Sequence, residues 1–276
     1  MRVFVVTGSN KGIGKSIVKL LLQHEEPKVV YLTSRNVDLG QKSVEELAAQ
    51  GLHAKYHQLD ITNRQSIEAL RDHLTKEHGG VDVLVNNAGI AYKGASTAPF
   101  SEQAEVTNKC NFFGTLEVCD ILFPILRDNA RVVHVSSLAS EYAYQKLSGE
   151  WKGKMSSPSL TIDLLKGYVN QFIADAQDDK VEERGWPKSA YGISKVGVSL
   201  MTILQQKDMD AKGNGIVVNA CCPGIVDTDM TGGRYQNMLT PDEGADTPTY
   251  LALLGNGTDV KGCFVKKRVV YPYPPS

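Results

Sequence analysis

The sequence predicts a doubly wound α/β fold, a parallel sheet of about seven strands with helices on both faces. Apolar, β-branched runs alternate with amphipathic helical stretches along nearly the whole chain. Several runs are apolar almost throughout, as strands buried on both faces of a sheet must be. The first run ends in a glycine-rich turn that opens the first helical stretch, Thr7-Gly8-Ser9-Asn10-Lys11-Gly12-Ile13-Gly14.

In chain order, strand Val3–Thr7 leads through that turn to helix Gly12–His24, and strand Lys28–Thr33 to helix Asp38–Gln50. Strand Ala54–Leu59 precedes helix Arg64–His78, and Val81–Val85 precedes a long helical pattern over Ser101–Leu126. Strand Arg131–Ser136 is followed at length by helix Ala190–Lys212, then strand Gly215–Ala220. Helix Pro241–Leu254 opens on a capping box with proline at its first position, Thr240-Pro241-Asp242-Glu243. Strand Phe264–Val269 closes the pattern. Residues 138–187 exceed a strand-to-helix loop and contain helix-like stretches such as Ile162–Gln177. They read either as a decorating insertion or as a wall beside a site at the end of the preceding strand.

The 276 residues, 42% hydrophobic and 22% charged, fit a single domain over residues 1–276 containing this helical insertion. A net charge of −1 and the absence of any basic run argue against a nucleic-acid or anionic membrane surface. No apolar stretch has transmembrane length, and strand and turn begin too early for a signal peptide. Five cysteines with no C-x-x-C spacing read as free thiols, so the expected location is the cytoplasm. His53 and His57 have a metal-like spacing but lack a third ligand nearby.

The glycine turn can bring backbone amides and a helix N-terminus against a pyrophosphate. Its Gly-x-x-x-Gly-x-Gly spacing differs from the Gly-x-Gly-x-x-Gly of other dinucleotide folds, and a plain tight turn is the alternative. The second strand ends Thr33-Ser34-Arg35-Asn36, without the carboxylate that would bond a ribose hydroxyl and repel a 2′-phosphate. Arg35 and Lys11 instead offer two cations to that phosphate, favouring NADPH over NADH. Asp60 is placed to accept from an adenine amino group, and Asn87-Ala88-Gly89 to run along the cofactor.

Tyr191 and Lys195, at i and i+4, share one helix face. An ammonium beside a phenol lowers its pKa from about 10 and makes it a usable general acid. Ser137, at the carboxyl end of its strand, is placed to donate to a carbonyl oxygen as charge develops. Asn111 interrupts a helical pattern with an amide able to hold a water near Lys195, or is a helix-surface residue.

Together with His57-Gln58-Leu59-Asp60, Asn86-Asn87-Ala88-Gly89, Asn111-Phe112-Phe113-Gly114, Gly185-Trp186-Pro187 and Asn219-Ala220-Cys221-Cys222-Pro223-Gly224, these motifs make the chain resemble the short-chain dehydrogenases/reductases, Rossmann-type enzymes, and within them the animal NADPH-dependent carbonyl reductases. The resemblance implies reduction of aldehydes, ketones or quinones, with Asn111, Ser137, Tyr191 and Lys195 as catalytic residues. It implies cofactor contacts from Gly8, Asn10, Lys11, Gly12, Ile13, Gly14, Arg35, Asp60, Ile61, Asn87, Ala88, Gly89, Tyr191, Lys195, Pro223, Gly224, Val226 and Thr228. Leu138, Ala139, Cys222, Ile225 and Met230 would shape the substrate pocket, with the glycine stretch through Gly233. Ile225 stands where the vertebrate enzymes have tryptophan, which removes a large flat wall. Cys222 is either open to thiol reagents or buried and inert. The insertion would cover the surface that simpler relatives use to form tetramers, implying a monomer. The rivals are a sugar-nucleotide epimerase and a non-catalytic NADPH-binding regulatory or scaffold protein.

Overall fold

A computed structural model describes residues 1–26, 28–232 and 235–275. An eight-stranded sheet runs in the order β3-β2-β1-β4-β5-β6-β7-β8. The strands are β1 Arg2–Val6, β2 Lys28–Ser34, β3 Lys55–Gln58, β4 Val81–Asn86, β5 Leu126–Val135, β6 Val217–Cys222, β7 Phe264–Lys266 and β8 Val269–Tyr271. All pair in parallel except β7 with β8. The order reverses between β1 and β4, and a crevice opens beyond their carboxyl ends.

Alternation along β1 sorts the core. Phe4 and Val6 pack with Ile17, Val18 and Leu21 of α1 (Gly12–Gln23), Leu47 of α2 (Val37–Ala48) and Leu251 of α10 (Pro241–Ala252). Val3 and Val5 face the other way, onto Ile67, Leu70 and Leu74 of α3 (Arg64–His78) and Val118 and Leu122 of α5 (Thr115–Leu122). Met209 of α9 (Ala190–Lys212) joins that second layer.

The predicted helix Ser101–Leu126 is four pieces rather than one. α4 (Phe100–Asn108) gives way to a π-helical turn, Lys109–Gly114, before α5, and a 3₁₀ turn follows at Phe123–Ile125. Gly114 sits where an added Cβ would lie 2.9 Å from the Ile61 carbonyl oxygen, so the π turn ends where the helix passes close over the backbone that follows β3. The predicted last strand is a hairpin instead, which brings the count to eight. Lys267 and Arg268 turn it with φ of 49° and 62°, the geometry of a tight two-residue loop. β5 also begins earlier than predicted, at Leu126, across an irregular register beside Val81 and Val83.

Residues 138–187 form α6 (Leu138–Gln145), α7 (Gly149–Met155) and α8 (Ile162–Gln177). Trp151 and Trp186 stack with ring centroids 3.8 Å apart, and Trp186 donates to the buried Asp175 at 2.8 Å. Leu165, Val169 and Phe172 close the same core against Ala104 of α4 and Ile193, Val196 and Leu200 of α9. The insertion is therefore continuous with the core behind the crevice.

Candidate active site

The crevice is a cleft of about 570 Å³. Its floor is the turn after β1, and each glycine there has a geometric reason. Gly8 has φ of 59° and would press a Cβ to 2.7 Å from Ala88 Cα. A Cβ on Gly14 would lie 2.4 Å from the Asn87 amide nitrogen. Asn87 in turn donates to the Thr7 and Gly8 carbonyls at 3.0 and 2.9 Å, tying β4 to the turn. Gly12, with φ of 53°, faces Thr228. At the start of α1 no side chain caps the helix and no acidic residue occupies its first turn, so its amides and dipole are turned to the cleft.

Asn10, Lys11, Ile13, Arg35, Asp60, Ile61, Asn87, Ala88, Gly89, Pro223, Thr228 and Met230 line the cleft. Arg35 is exposed at its rim. Lys11 instead pairs with Asp229 at 2.6 Å across the mouth. One Asp60 carboxylate oxygen accepts from the Thr62 amide and hydroxyl at 2.9 and 2.7 Å, which fixes its orientation. Gly224 and Val226 support the wall from behind. Gly224 has φ of 89°, and the buried Val226 bridges to Leu239.

Tyr191 and Lys195 line the deep end of the same cleft. Ser189 caps α9 through the Gly192 amide at 3.1 Å, which starts the helix at the residue before Tyr191. Ser137 caps α6 in the same way, through Ala139. Gly192 lets the two helices meet: a Cβ there would lie 2.7 Å from Ala143 Cβ and 3.1 Å from the Ala139 carbonyl oxygen. The contact brings Ser137 into hydrogen-bond reach of Tyr191.

Electrostatically the pair departs from the sequence expectation. Burial pushes Tyr191 up to about 12, with the Ser137 hydrogen bond opposing it. Burial also pulls Lys195 down to about 8. The Lys195 ammonium donates to the Val135 carbonyl at 2.7 Å and lies 5.6 Å from the Tyr191 ring centre. Desolvation thus outweighs the Ser137 hydrogen bond, and at pH 7 Tyr191 is a neutral proton donor.

Asn111 lies in the π turn, buried, and three hydrogen bonds hold its side-chain amide. Its oxygen accepts from the Ile90 amide at 2.8 Å, and its nitrogen donates to the Ile90 carbonyl and Ser194 hydroxyl at 2.9 and 3.0 Å. It clamps the strand-end loop holding Gly89 to α9.

The expected substrate side is gathered less closely. Leu138 and the buried Cys222 pack with Ala220 and Phe264 beside the cleft, while Ile225 is exposed. Burial pushes the Cys222 thiol up, which supports the inert alternative. Ala139 faces Gly192 in the helix contact. Gly233 lies outside the described residues.

The sequence reading missed Thr62, Ile90, Cys110, Val135 and Asp229 along the cleft. Ile90 directly follows the Asn86–Gly89 motif and was within reach of the motif argument. Cys110 and Asp229 arrive through the π turn and a distant loop, without a local signal.

A family model described as short chain dehydrogenase matches residues 2–149 and 182–239, leaving out part of the insertion. "Carbonyl reductase [NADPH] 1" of Homo sapiens is 48% identical over 256 residues, covering 92% of this chain and 91% of that protein. "Carbonyl reductase [NADPH] 3" of Rattus norvegicus is 46% identical over 98% of this chain and 97% of its own length. The solved structure of salutaridine reductase from Papaver somniferum superposes with a TM-score of 0.85 at 30% identity, covering 96% of this chain and 99% of that one. With more than half its length matched by the family model and full-length relatives at this identity, the chain belongs to the short-chain dehydrogenase family.

Proposed function

We propose that this chain is an NADPH-dependent carbonyl reductase that converts aldehydes, ketones or quinones to alcohols or hydroquinones. One observation carries the reading: a neutral phenol and a desolvated lysine line the end of a glycine-floored cleft, with the Ser137 hydroxyl within hydrogen-bond reach of the phenol. The relatives whose names specify NADPH carbonyl reduction support it.

The cleft fits a dinucleotide phosphate. Gly8 and Gly14 let the turn pack tightly on Ala88 and Asn87, and the uncapped α1 terminus offers amides to a pyrophosphate. Arg35 and Lys11 would hold the 2′-phosphate, Lys11 exchanging Asp229 for it, and Asp60 would accept from the adenine. The bound cofactor supplies a hydride to the carbonyl carbon. Ser137 donates to the carbonyl oxygen and stabilises the charge that builds there. Tyr191 delivers its phenolic proton to that oxygen. Lys195 holds the ribose and stabilises the phenolate left behind. Asn111 acts as a clamp that keeps Ile90, Gly89 and α9 in register.

We read residues 1–276 as one reductase domain with 138–187 as an insertion, active as a cytoplasmic monomer. No helix among the described residues is long and apolar enough to cross a membrane. Tyr191→Phe should leave NADPH affinity within about twofold of wild type while lowering carbonyl-dependent NADPH oxidation at least about 10³-fold. The check is a fluorescence titration beside an assay panel of quinones, aldehydes and ketones. Undiminished turnover in that variant would remove Tyr191 from the mechanism.

A further inference from the structure

The segment after β8 reaches back to the reaction end of the cleft. The Tyr273 ring stacks on Phe264 of β7 at 5.1 Å and 27°, with the Tyr144 ring of α6 at 6.3 Å. It packs beside Leu138 on the cluster that contains Cys222, and also against the insertion core. The base of the segment is pinned to α6, because Lys266 of β7 bonds Glu141 at 2.9 Å with both side chains mostly buried.

The Tyr273 hydroxyl is buried without a hydrogen-bond partner, a costly state. Burial pushes the phenol up, and the nearby hydroxyls of Ser140 and Ser199 oppose that push without meeting it in hydrogen-bond geometry. Those serines belong to a polar cluster between α6 and α9. Ser140 donates to the Ser137 carbonyl at 2.7 Å, and Ser199 lies 3.4 Å from Ser140 and 2.7 Å from Ser136. Ser136 donates in turn to the Lys195 carbonyl at 3.3 Å. The Ser137 and Lys195 carbonyls thus lie at the two ends of a cluster of three hydroxyls that share three protons, and the Tyr273 ring packs beside it.

We propose that Tyr273 is a positioning residue for the reaction centre. Its ring backs Leu138 and Cys222 on the substrate side and fills the space between that cluster and the insertion core. This rests on the reading of Ser137, Tyr191 and Lys195 as the reacting groups. The glycine floor that receives the dinucleotide lies apart from Tyr273, so the residue governs carbonyl reduction without governing cofactor affinity.

The test measures kcat and KM for a naphthoquinone and a short aliphatic aldehyde, with NADPH affinity by fluorescence titration, in Tyr273→Ala and Tyr273→Phe. Tyr273→Ala should lower kcat/KM for the quinone about tenfold or more, and for the small aldehyde less, with NADPH affinity kept within about twofold. Tyr273→Phe should keep kcat, KM and NADPH affinity within about twofold of wild type, because it keeps the ring and removes only an unpartnered hydroxyl. Wild-type constants for both substrates in Tyr273→Ala would overturn the proposal, as would an equal loss of NADPH affinity, which marks general disruption. A loss in Tyr273→Phe as large as that in Tyr273→Ala would overturn the packing role of the ring. Should Tyr273→Ala not fold, Tyr273→Leu takes its place under the same criteria. Absence of carbonyl turnover in the wild type, or full turnover in Tyr191→Phe, would instead count against the reaction-centre reading itself.

Discussion

Lys195 shows most directly what the site costs the protein. Its folded pKa is about 8 against 10.5 in an exposed chain, so the native state binds fewer protons between those values. Stability therefore rises with pH through that window, and below pH 8 the full penalty is present, on the order of 3 kcal/mol. Lys195→Met should be inactive yet more stable at pH 7 by about 1–3 kcal/mol, after allowing for the Val135 carbonyl it leaves unpaired. That gain should shrink as the pH approaches 10.5, and denaturant titrations at pH 7 and 10 would reveal it. An equal gain at both would show that Lys195 is not desolvated. At the other end of the cleft, Arg35→Asp should raise KM for NADPH about 10²-fold and leave that for NADH nearly unchanged. Parallel changes would remove Arg35 from phosphate recognition.

At the scale of elements, the approach of α6 to α9 positions the chemistry. Each helix is capped by a serine, Ser137 and Ser189, and Gly192 sets their distance. Gly192→Ala should cost about 1–3 kcal/mol by overpacking and lower turnover well beyond its effect on NADPH affinity. Gly167→Ala is the control, because a Cβ on that exposed α8 position meets nothing within 4 Å. It should stabilise by about 0.5–1 kcal/mol. If both glycines respond alike in thermal melts and turnover, the close helix approach has no functional weight. The π turn works similarly: the Ser101–Leu126 pattern is helical in period, and only its passage over Ile61 requires the extra residue that turns Asn111 onto Ile90.

Across the whole molecule, the insertion decides which surfaces remain available. Its aromatic core covers α4 and α9, so the covered faces of those helices offer no surface to a second chain. The chain should therefore sediment as a single species near 30.1 kDa across a hundredfold range of concentration. A concentration-dependent dimer or tetramer would show that another surface associates.

The alternation of apolar strands and amphipathic helices fixed the sheet and its layers, because period and length are local properties of a chain. α9 was legible to its ends, since Ser189 caps it and Gly213 stops it in the left-handed conformation. The glycine turn and the Tyr191–Lys195 pair were legible for the same reason, as spacings within one turn or one helix. What the sequence could not convey depended on neighbours brought from afar. The hairpin after Phe264 follows from where Lys267 and Arg268 turn, and Arg268 is held by Asp246 of α10. The engagement of the Asn111 amide, the pairing of Lys11 with Asp229 and the arrival of Tyr273 behind Cys222 all join residues distant in sequence. The Tyr191 proton was misjudged for the same reason. A charge four residues away can be counted along a helix, but the water lost around the phenol depends on the packing of the whole site, and here burial prevails.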